Sequence, residues 1–430
     1  MHLETVVIGT GLSSLSFIDK FLEKHKKIDV ISPDVQTKET ENILNKHLFD
    51  DLPYQIISQI NKIKNYFEIN NILVNPNSKI LGSLEFGGLS NYWGLQIDKN
   101  IFTDIEFLKK KTRSEIIQSF FEILEKLKLL GEFKYKNKKY SNDYKIDNFF
   151  KKIYEKKYTD FLSSKPILAF SKKKKLTPNL YLKNYIKKKS IKIHNFSVQE
   201  IFYKKGIVEL KCLDKNKIKR TIFAKKVIFG CGTIVTTKLI LKFLKIKNEV
   251  KIKHHPRLVS VFFSKRKIKN TNYLNAAQLH MRSKSKKNSF IVDFRTGTQT
   301  IVDSAVKLKT YLMPIKFILN YFKNFLVFSN ILLDSSFSNL FIRINKNKTL
   351  IYSKKSNLIE SLNKVHFKVF NLLKKENLIM PFSKNFFPGY GNDFHYFGSI
   401  PISNKKNKLS VNENCQLNGY KNIFIIDGSV

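Results

Sequence analysis

The stretch from Thr5 to Asp34 constrains this chain more than any other. Thr5-Val6-Val7-Ile8 is a short apolar run, and Gly9-Thr10-Gly11-Leu12-Ser13-Ser14 is a glycine turn. Leu15, Ile18 and Leu22 then recur at i, i+3 and i+7 before a second apolar run, Ile28-Asp29-Val30-Ile31. The pattern predicts a strand, a tight turn, a helix with one face on a sheet, and a second strand. In such a turn Gly9 lets the backbone swing off the strand, and Gly11, lacking a Cβ, lets a pyrophosphate approach. The free N–H groups and positive dipole end of the helix then hold that anion. This is the opening βαβ of a dinucleotide-binding fold. Two positions depart from its usual pattern. Ser14 replaces the third glycine, and is still small enough for close helix–strand packing. Ser32 stands where an acidic residue would bind the ribose, leaving Asp34, two residues on, as the group to reach it.

A second glycine run, Leu84-Glu85-Phe86-Gly87-Gly88-Leu89-Ser90-Asn91-Tyr92-Trp93-Gly94, holds the only tryptophan. Its paired glycines give tight backbone geometry and exposed N–H groups suited to a cofactor phosphate or flavin edge, while an ordinary loop beside a core tryptophan fits equally well. Residues 100–190 read as largely helical, with Pro178 opening a helix that runs to about Lys188. From Ile191 the period changes to two. Strands are predicted at Ile191–His194, Val198–Tyr203, Ile207–Cys212 and Ile218–Phe223, with turns at Gly206 and Lys215–Lys217. A buried strand, Val227-Ile228-Phe229, then runs into Gly230-Cys231-Gly232-Thr233 and a helix.

Taken in order, these segments resemble the glucose–methanol–choline (GMC) family of FAD oxidoreductases. The resemblance rests on Gly9–Ser14, Gly87–Gly94, Val227–Thr233, His255-Pro256 and the C-terminal segment. That segment reads His395-Tyr396-Phe397-Gly398-Ser399-Ile400-Pro401-Ile402, then Asn418 through Asp427-Gly428-Ser429-Val430. The resemblance implies an α/β fold, with a Rossmann-like FAD-binding domain and a substrate-binding domain on an antiparallel sheet over the flavin. The FAD domain would comprise 1–99, 190–258 and 388–430, and the substrate domain 100–189 and 259–387. Residues 259–294 and 339–352 have the alternation that such a sheet needs. Gly9, Gly11, Ser14, Asp34, Gly87, Gly88, Ser90, Asn91, Trp93, Val198, Gly230, Gly232, Asp427 and Gly428 would bind FAD, with Val198 at the adenine.

The resemblance also places His395 against the flavin. A histidine titrates near neutrality, so it can take the hydroxyl proton of an alcohol while hydride leaves the adjacent carbon for flavin N5. The implied activity is oxidation of a CH–OH group in a sugar, polyol or other alcohol, with an unspecified electron acceptor. A redox-neutral sugar mutase, a desaturating flavoprotein or a non-catalytic protein of the same fold are the rival readings. His255 is expected to be mainly structural, and His194, His280 and His366 ordinary. Ile402 replaces the methionine of the family's histidine motif, and Trp93 stands where many members have asparagine. The family's second active-site residue lies beyond Asp-Gly-Ser-Val, so the sequence reads as a fragment that stops short of it.

Composition excludes several other classes. The formal charge of +44 would suit nucleic acid, but almost all of the 78 basic residues are lysine, spread along the whole chain with asparagine, isoleucine and phenylalanine. That is codon bias rather than an arginine-rich binding face, so no nucleic-acid partner is expected. A weak attraction to an acidic membrane surface is left open. Cys212, Cys231 and Cys415 show no paired spacing, so neither a disulfide framework nor a metal site is expected. The first strand begins at once, leaving no room for a signal peptide, and Tyr311–Leu333 is too broken by lysine and asparagine to span a membrane. A buried or interfacial helix pair is expected there, in a cytoplasmic protein.

Overall fold

The predicted N-terminal strand, His2–Ile8, lies inside a seven-stranded sheet. In this computed structural model residues 1–33, 60–91, 96–97, 105–135, 137–142, 145–171, 174–269, 277–285, 289–298, 302–303, 306, 310–346, 348–403 and 407–430 are described. Asp34 and Trp93 lie outside them. His2–Ile8 pairs in parallel with Ile28–Ile31, which pairs in parallel with Ile191–His194. Its other neighbour is the long strand Lys219–Phe229. Val6 and Ile8 face one core and Val7 the other, as the period of two requires. Helices Leu12–Leu22 and Pro178–Lys187 cover the Val7 face through Leu15, Ile18 and Leu182. Helix Thr233–Phe243 covers the opposite face.

Lys219–Phe229 is one strand where the sequence pattern suggests two. Its first half closes the meander against Ile207–Asp214, and Ile207–Asp214 pairs in turn with Phe196–Lys204. Where that antiparallel ladder ends, Ile423–Ile425 takes over in parallel against Val227–Phe229. The C-terminal segment is thereby brought beside the second glycine turn.

The second sheet is six-stranded and antiparallel, in the order Ile379–Phe386, Arg257–Ser264, Leu326–Leu333, Phe290–Thr296, Leu279–Ser283, Phe161–Ser164. One face is a dry core. Leu258, Phe262, Val292, Phe294, Val327 and Ile331 are buried there beneath helices Leu358–Lys375 and Asn148–Glu155. The register puts Arg257, Val259, Asn330, Asp293, Arg295 and His280 on the opposite face. That face mixes aliphatic and charged groups and is the candidate functional face.

Several expectations are corrected. The 339–352 segment does not join this sheet: Leu340–Asn345 and Lys348–Ser353 form a four-stranded sheet with Val250–Ile252 and Ile72–Val74, and pack into the nucleotide-binding core. Helix Pro178–Lys187 likewise packs on the first sheet, below the expected boundary at 190. The 100–190 region also contains a hairpin, Gly131–Tyr135 with Lys138–Asn142. Tyr311–Leu333 is not a helix pair. It forms a 3-10 turn, the short helix Lys316–Phe322, and the strand Leu326–Leu333, whose alternating Val327, Ser329, Ile331 and Leu333 face the core. Tyr311, Met313, Phe317 and Tyr321 are exposed. Among the described residues no helix is long and apolar enough to cross a membrane.

Candidate active site

A cleft runs along the carboxyl ends of the parallel strands, where an open α/β sheet places its ligands. Gly9 forms its floor. Its φ is +104°, and an added Cβ would meet the Gly230 carbonyl oxygen at 2.4 Å. Gly11 differs: a Cβ there would meet only ordinary contacts, Ser90 Oγ at 3.6 Å and the Gly230 carbonyl oxygen at 3.9 Å. That bare backbone beside a helix N-terminus is the cradle a pyrophosphate needs.

The Gly87–Asn91 loop docks on this turn. Leu12 N donates to Ser90 Oγ at 3.2 Å, and Gly87 N donates to Thr10 Oγ1 at 2.9 Å. Gly88 and Ser90 line the cleft. Gly87 and Asn91 lie behind them: Asn91 Nδ2 donates to the Phe86 carbonyl, and a Cβ on Gly87 would strike the Asn91 amide. Ser14 is also a packing residue and not a wall of the cleft. It is fully buried, and its hydroxyl donates to the Gly230 carbonyl, pinning the first helix to the second glycine turn. Val198 lines the far end, at a bulge in its strand.

Gly230, Gly232, Asp427 and Gly428 line the other wall. Asp427 accepts hydrogen bonds from Gly232 N at 2.9 Å, from the Thr236 hydroxyl, and from Ser429 N at 3.0 Å. It thereby ties the C-terminal segment to the N-terminus of the Thr233–Phe243 helix. Desolvation raises its pKa despite these donors.

The cleft ends at Phe394 and Tyr396, which flank His395. The backbone bends sharply at Phe394, whose φ is +66°, a conformation rare for a bulky side chain. The Tyr396 hydroxyl donates to the Gly391 carbonyl and accepts from Leu81 N, fixing the segment from both sides. The His395 side chain is open to solvent although protein groups crowd round it. Their desolvation lowers its pKa; Asp393 and Asp293 oppose the shift, while His255 and Arg257 add to it.

The structure assembles residues around His395 that the sequence pattern did not single out. His255 stands edge-on to it, with ring centroids 6.1 Å apart. His255 Nδ1 donates to the Leu333 carbonyl at 3.1 Å, which leaves Nε2 free of that bond. Asp393 Oδ1 lies 2.9 Å from His254 Nδ1, and its Oδ2 accepts the backbone N–H of His255 at 2.8 Å. Desolvation pushes the Asp393 pKa up, but His254, His395 and the His255 N–H together hold it below the usual carboxylate value. His280, expected to be ordinary, lies 3.2 Å from Asp293 on the functional sheet face. Only the His255-Pro256 motif hinted at any of this. His194 and His366 sit elsewhere, against Asp29 and between Ser260 and Ser383. No metal-binding cluster occurs among the described residues.

Sheet order, glycine turns and covering antiparallel sheet together define an FAD-binding Rossmann-type flavoprotein fold with a second, sheet-based domain. One solved structure agrees on that fold. The chain is similar to pyridoxine 4-oxidase from Mesorbium loti at TM-score 0.62 and 9% identity, covering 100% of this chain and 94% of that one. A much looser likeness, at TM-score 0.32 and 9% identity, links it to p-nitrophenol 4-monooxygenase from Pseudomonas putida DLL-E4, over 99% of this chain and 72% of that one. No family model and no curated protein sequence matches the chain.

Proposed function

We propose that this chain is a GMC-type, FAD-dependent oxidoreductase that oxidises a CH–OH group with His395 as base. One observation carries the proposal: the residues either side of His395 wall the same cleft as the Gly9–Ser13 turn. In this reading the cofactor-binding turn and the candidate base, carried between two residues of the cleft wall, would serve one site. Gly9, Gly11, Gly88 and Ser90 would hold the pyrophosphate, Val198 the adenine end, and Phe394 and Tyr396 the ring end. Bound flavin supplies the hydride acceptor that the protein lacks. Desolvation keeps His395 neutral near pH 7, so its imidazole is ready to take the substrate's hydroxyl proton. His255 stands beside it with Nε2 available to the same hydroxyl. The similarity in fold to an oxidase named for pyridoxine supports the alcohol-oxidising reading over a mutase or desaturase.

The test is anaerobic mixing of purified, flavin-loaded protein with a panel of alcohols, polyols and sugars. Bleaching of oxidised flavin by at least one of them is expected. Flavin that only dithionite bleaches, or protein that takes up no flavin, would overturn the proposal.

A further inference from the structure

The functional sheet face presents two arginines with few hydrogen-bond partners among the described residues. Arg257 spends one N–H on Asn392 Oδ1 at 2.9 Å, and its guanidinium lies 5.6 Å from the centre of the Phe394 ring. Arg295 reaches the Gln96 side-chain oxygen at 2.8 Å in the amide orientation that also satisfies Asp293. The Nε of each is buried with no hydrogen-bond partner. A guanidinium carries five donors, so most of this capacity is unused. The neighbouring carboxylates are already engaged. Asp393 serves His254 and the His255 backbone, and Asp293 serves His280 and Gln96. Desolvation lowers the pKa of both arginines, that of Arg257 to about 10, and the Arg295 charge adds to the shift of Arg257. Buried donors left unpaired are unfavourable, and a planar guanidinium fork matches a carboxylate.

We propose that Arg257 and Arg295 bind a substrate carboxylate, so that the alcohol presented to His395 is a hydroxy acid. Arg257 lies close enough to His395 for its charge to act on that imidazole. Anion and reacting hydroxyl would then be held in one site. His395 would take the hydroxyl proton, bound flavin would supply the acceptor for the C–H hydride as the carbinol carbon becomes a carbonyl, and the carboxylate would be unchanged. The inference rests on the oxidoreductase proposal for the substrate's identity, but the anion site can be tested separately.

Flavin-loaded protein is titrated with glycolate, lactate, malate and mandelate, with their neutral diol counterparts, and with the non-oxidisable carboxylates pyruvate and benzoate. Flavin reduction and flavin spectral shifts are both recorded. At least one carboxylate is expected to bind, and the matching diol to bind at least about tenfold more weakly, given the strength of charge-assisted hydrogen bonds. Arg257→Gln and Arg295→Gln should each weaken that binding about 10- to 100-fold, while Arg257→Lys keeps part of it. Flavin content and melting temperature identify any variant that fails to fold. Diols that reduce the flavin while no carboxylate binds would overturn the carboxylate site and leave the oxidoreductase standing. Carboxylate binding that the Gln variants lose, without reduction by any alcohol, would keep the site and overturn the oxidoreductase. Neither binding nor reduction would overturn both.

Discussion

The imidazoles of His255 and His395 meet edge to face, 82° between planes and 6.1 Å between centroids, although 140 positions separate them (395 − 255). His255 reaches this position from the connection between strands Val250–Ile252 and Arg257–Ser264, and His395 from the segment beside the cleft. Protein groups crowding His395 lower its pKa by desolvation, and His255 is among the groups that add to that shift. Only the neutral ring can accept a proton, so the rate of flavin reduction should rise with pH, with a midpoint below the ordinary histidine value of about 6.5. His395→Asn should retain flavin, lose about 10²- to 10⁴-fold in reduction rate, and lose that acidic limb. Stopped-flow pH profiles of both proteins check this. An unchanged limb in the variant would remove His395 as the base.

Asp393 makes a second, separable prediction. Its carboxylate holds His254 and the His255 backbone, and its charge raises the His395 pKa against desolvation. Asp393→Asn should therefore move the acidic limb of flavin reduction to still lower pH, which a merely structural residue would not do. It should also destabilise the fold by about 1–3 kcal/mol near neutrality, the usual effect of losing a buried charged hydrogen-bond partner. The sign with pH follows from linkage. Asp393 has a lowered pKa in the folded state, so its contribution is present above the unfolded value near 3.8 and is lost as pH falls through the folded value. Denaturant curves for the two proteins should converge in acid.

The nucleotide-binding half was legible because its signals are local. Gly9 and Gly232 are glycines that positive φ requires, and Val6-Val7-Ile8 is a run that only a strand buried on both faces needs. The substrate half was not. Arg257 and Arg295 share one sheet face with the strand Leu326–Leu333 between them, and Asp393 reaches His254 across 139 positions (393 − 254), so no spacing rule could find them. Leu326–Leu333 misled for another reason. Its apolar run follows a short helix, and a short apolar run does not itself distinguish a strand from a buried helix.

The two glycines of the first turn should fail in different ways. Gly9→Ala forces a Cβ into the Gly230 carbonyl at a φ of +104°, so a lower melting temperature and poor recovery of folded protein are expected. Gly11 has an ordinary φ of −69°, and its Cβ would meet nothing closer than Ser90 Oγ at 3.6 Å. Gly11→Ala should therefore fold with an unchanged melting temperature when stripped of flavin, yet bind FAD more weakly, because the methyl group enters the cradle. Calorimetry and flavin titration separate the two. Full FAD affinity in Gly11→Ala would move the pyrophosphate elsewhere in the cleft.

Lys238 yields the last prediction. It sits on the helix Thr233–Phe243, completely buried, with Nζ donating to the Asn70 carbonyl at 2.9 Å. Desolvation, helped by Lys242, lowers its pKa to about 7. The unfolded chain keeps this proton up to the ordinary lysine value of about 10.4, while the folded chain releases it near 7. Between those values the unfolded state binds more protons, so this residue makes stability rise with pH. Below that window the folded protein carries a buried charge at a cost of a few kcal/mol. Lys238→Met removes the charge and leaves the Asn70 carbonyl without its donor, a smaller and pH-independent loss. The variant should therefore gain most over the parent at about pH 6, and the difference should shrink steadily toward about pH 10. Because every other titrating group is common to both proteins, the difference between their denaturation midpoints isolates this one. A difference that stays flat across that range would mean that Lys238 keeps its proton in the folded protein.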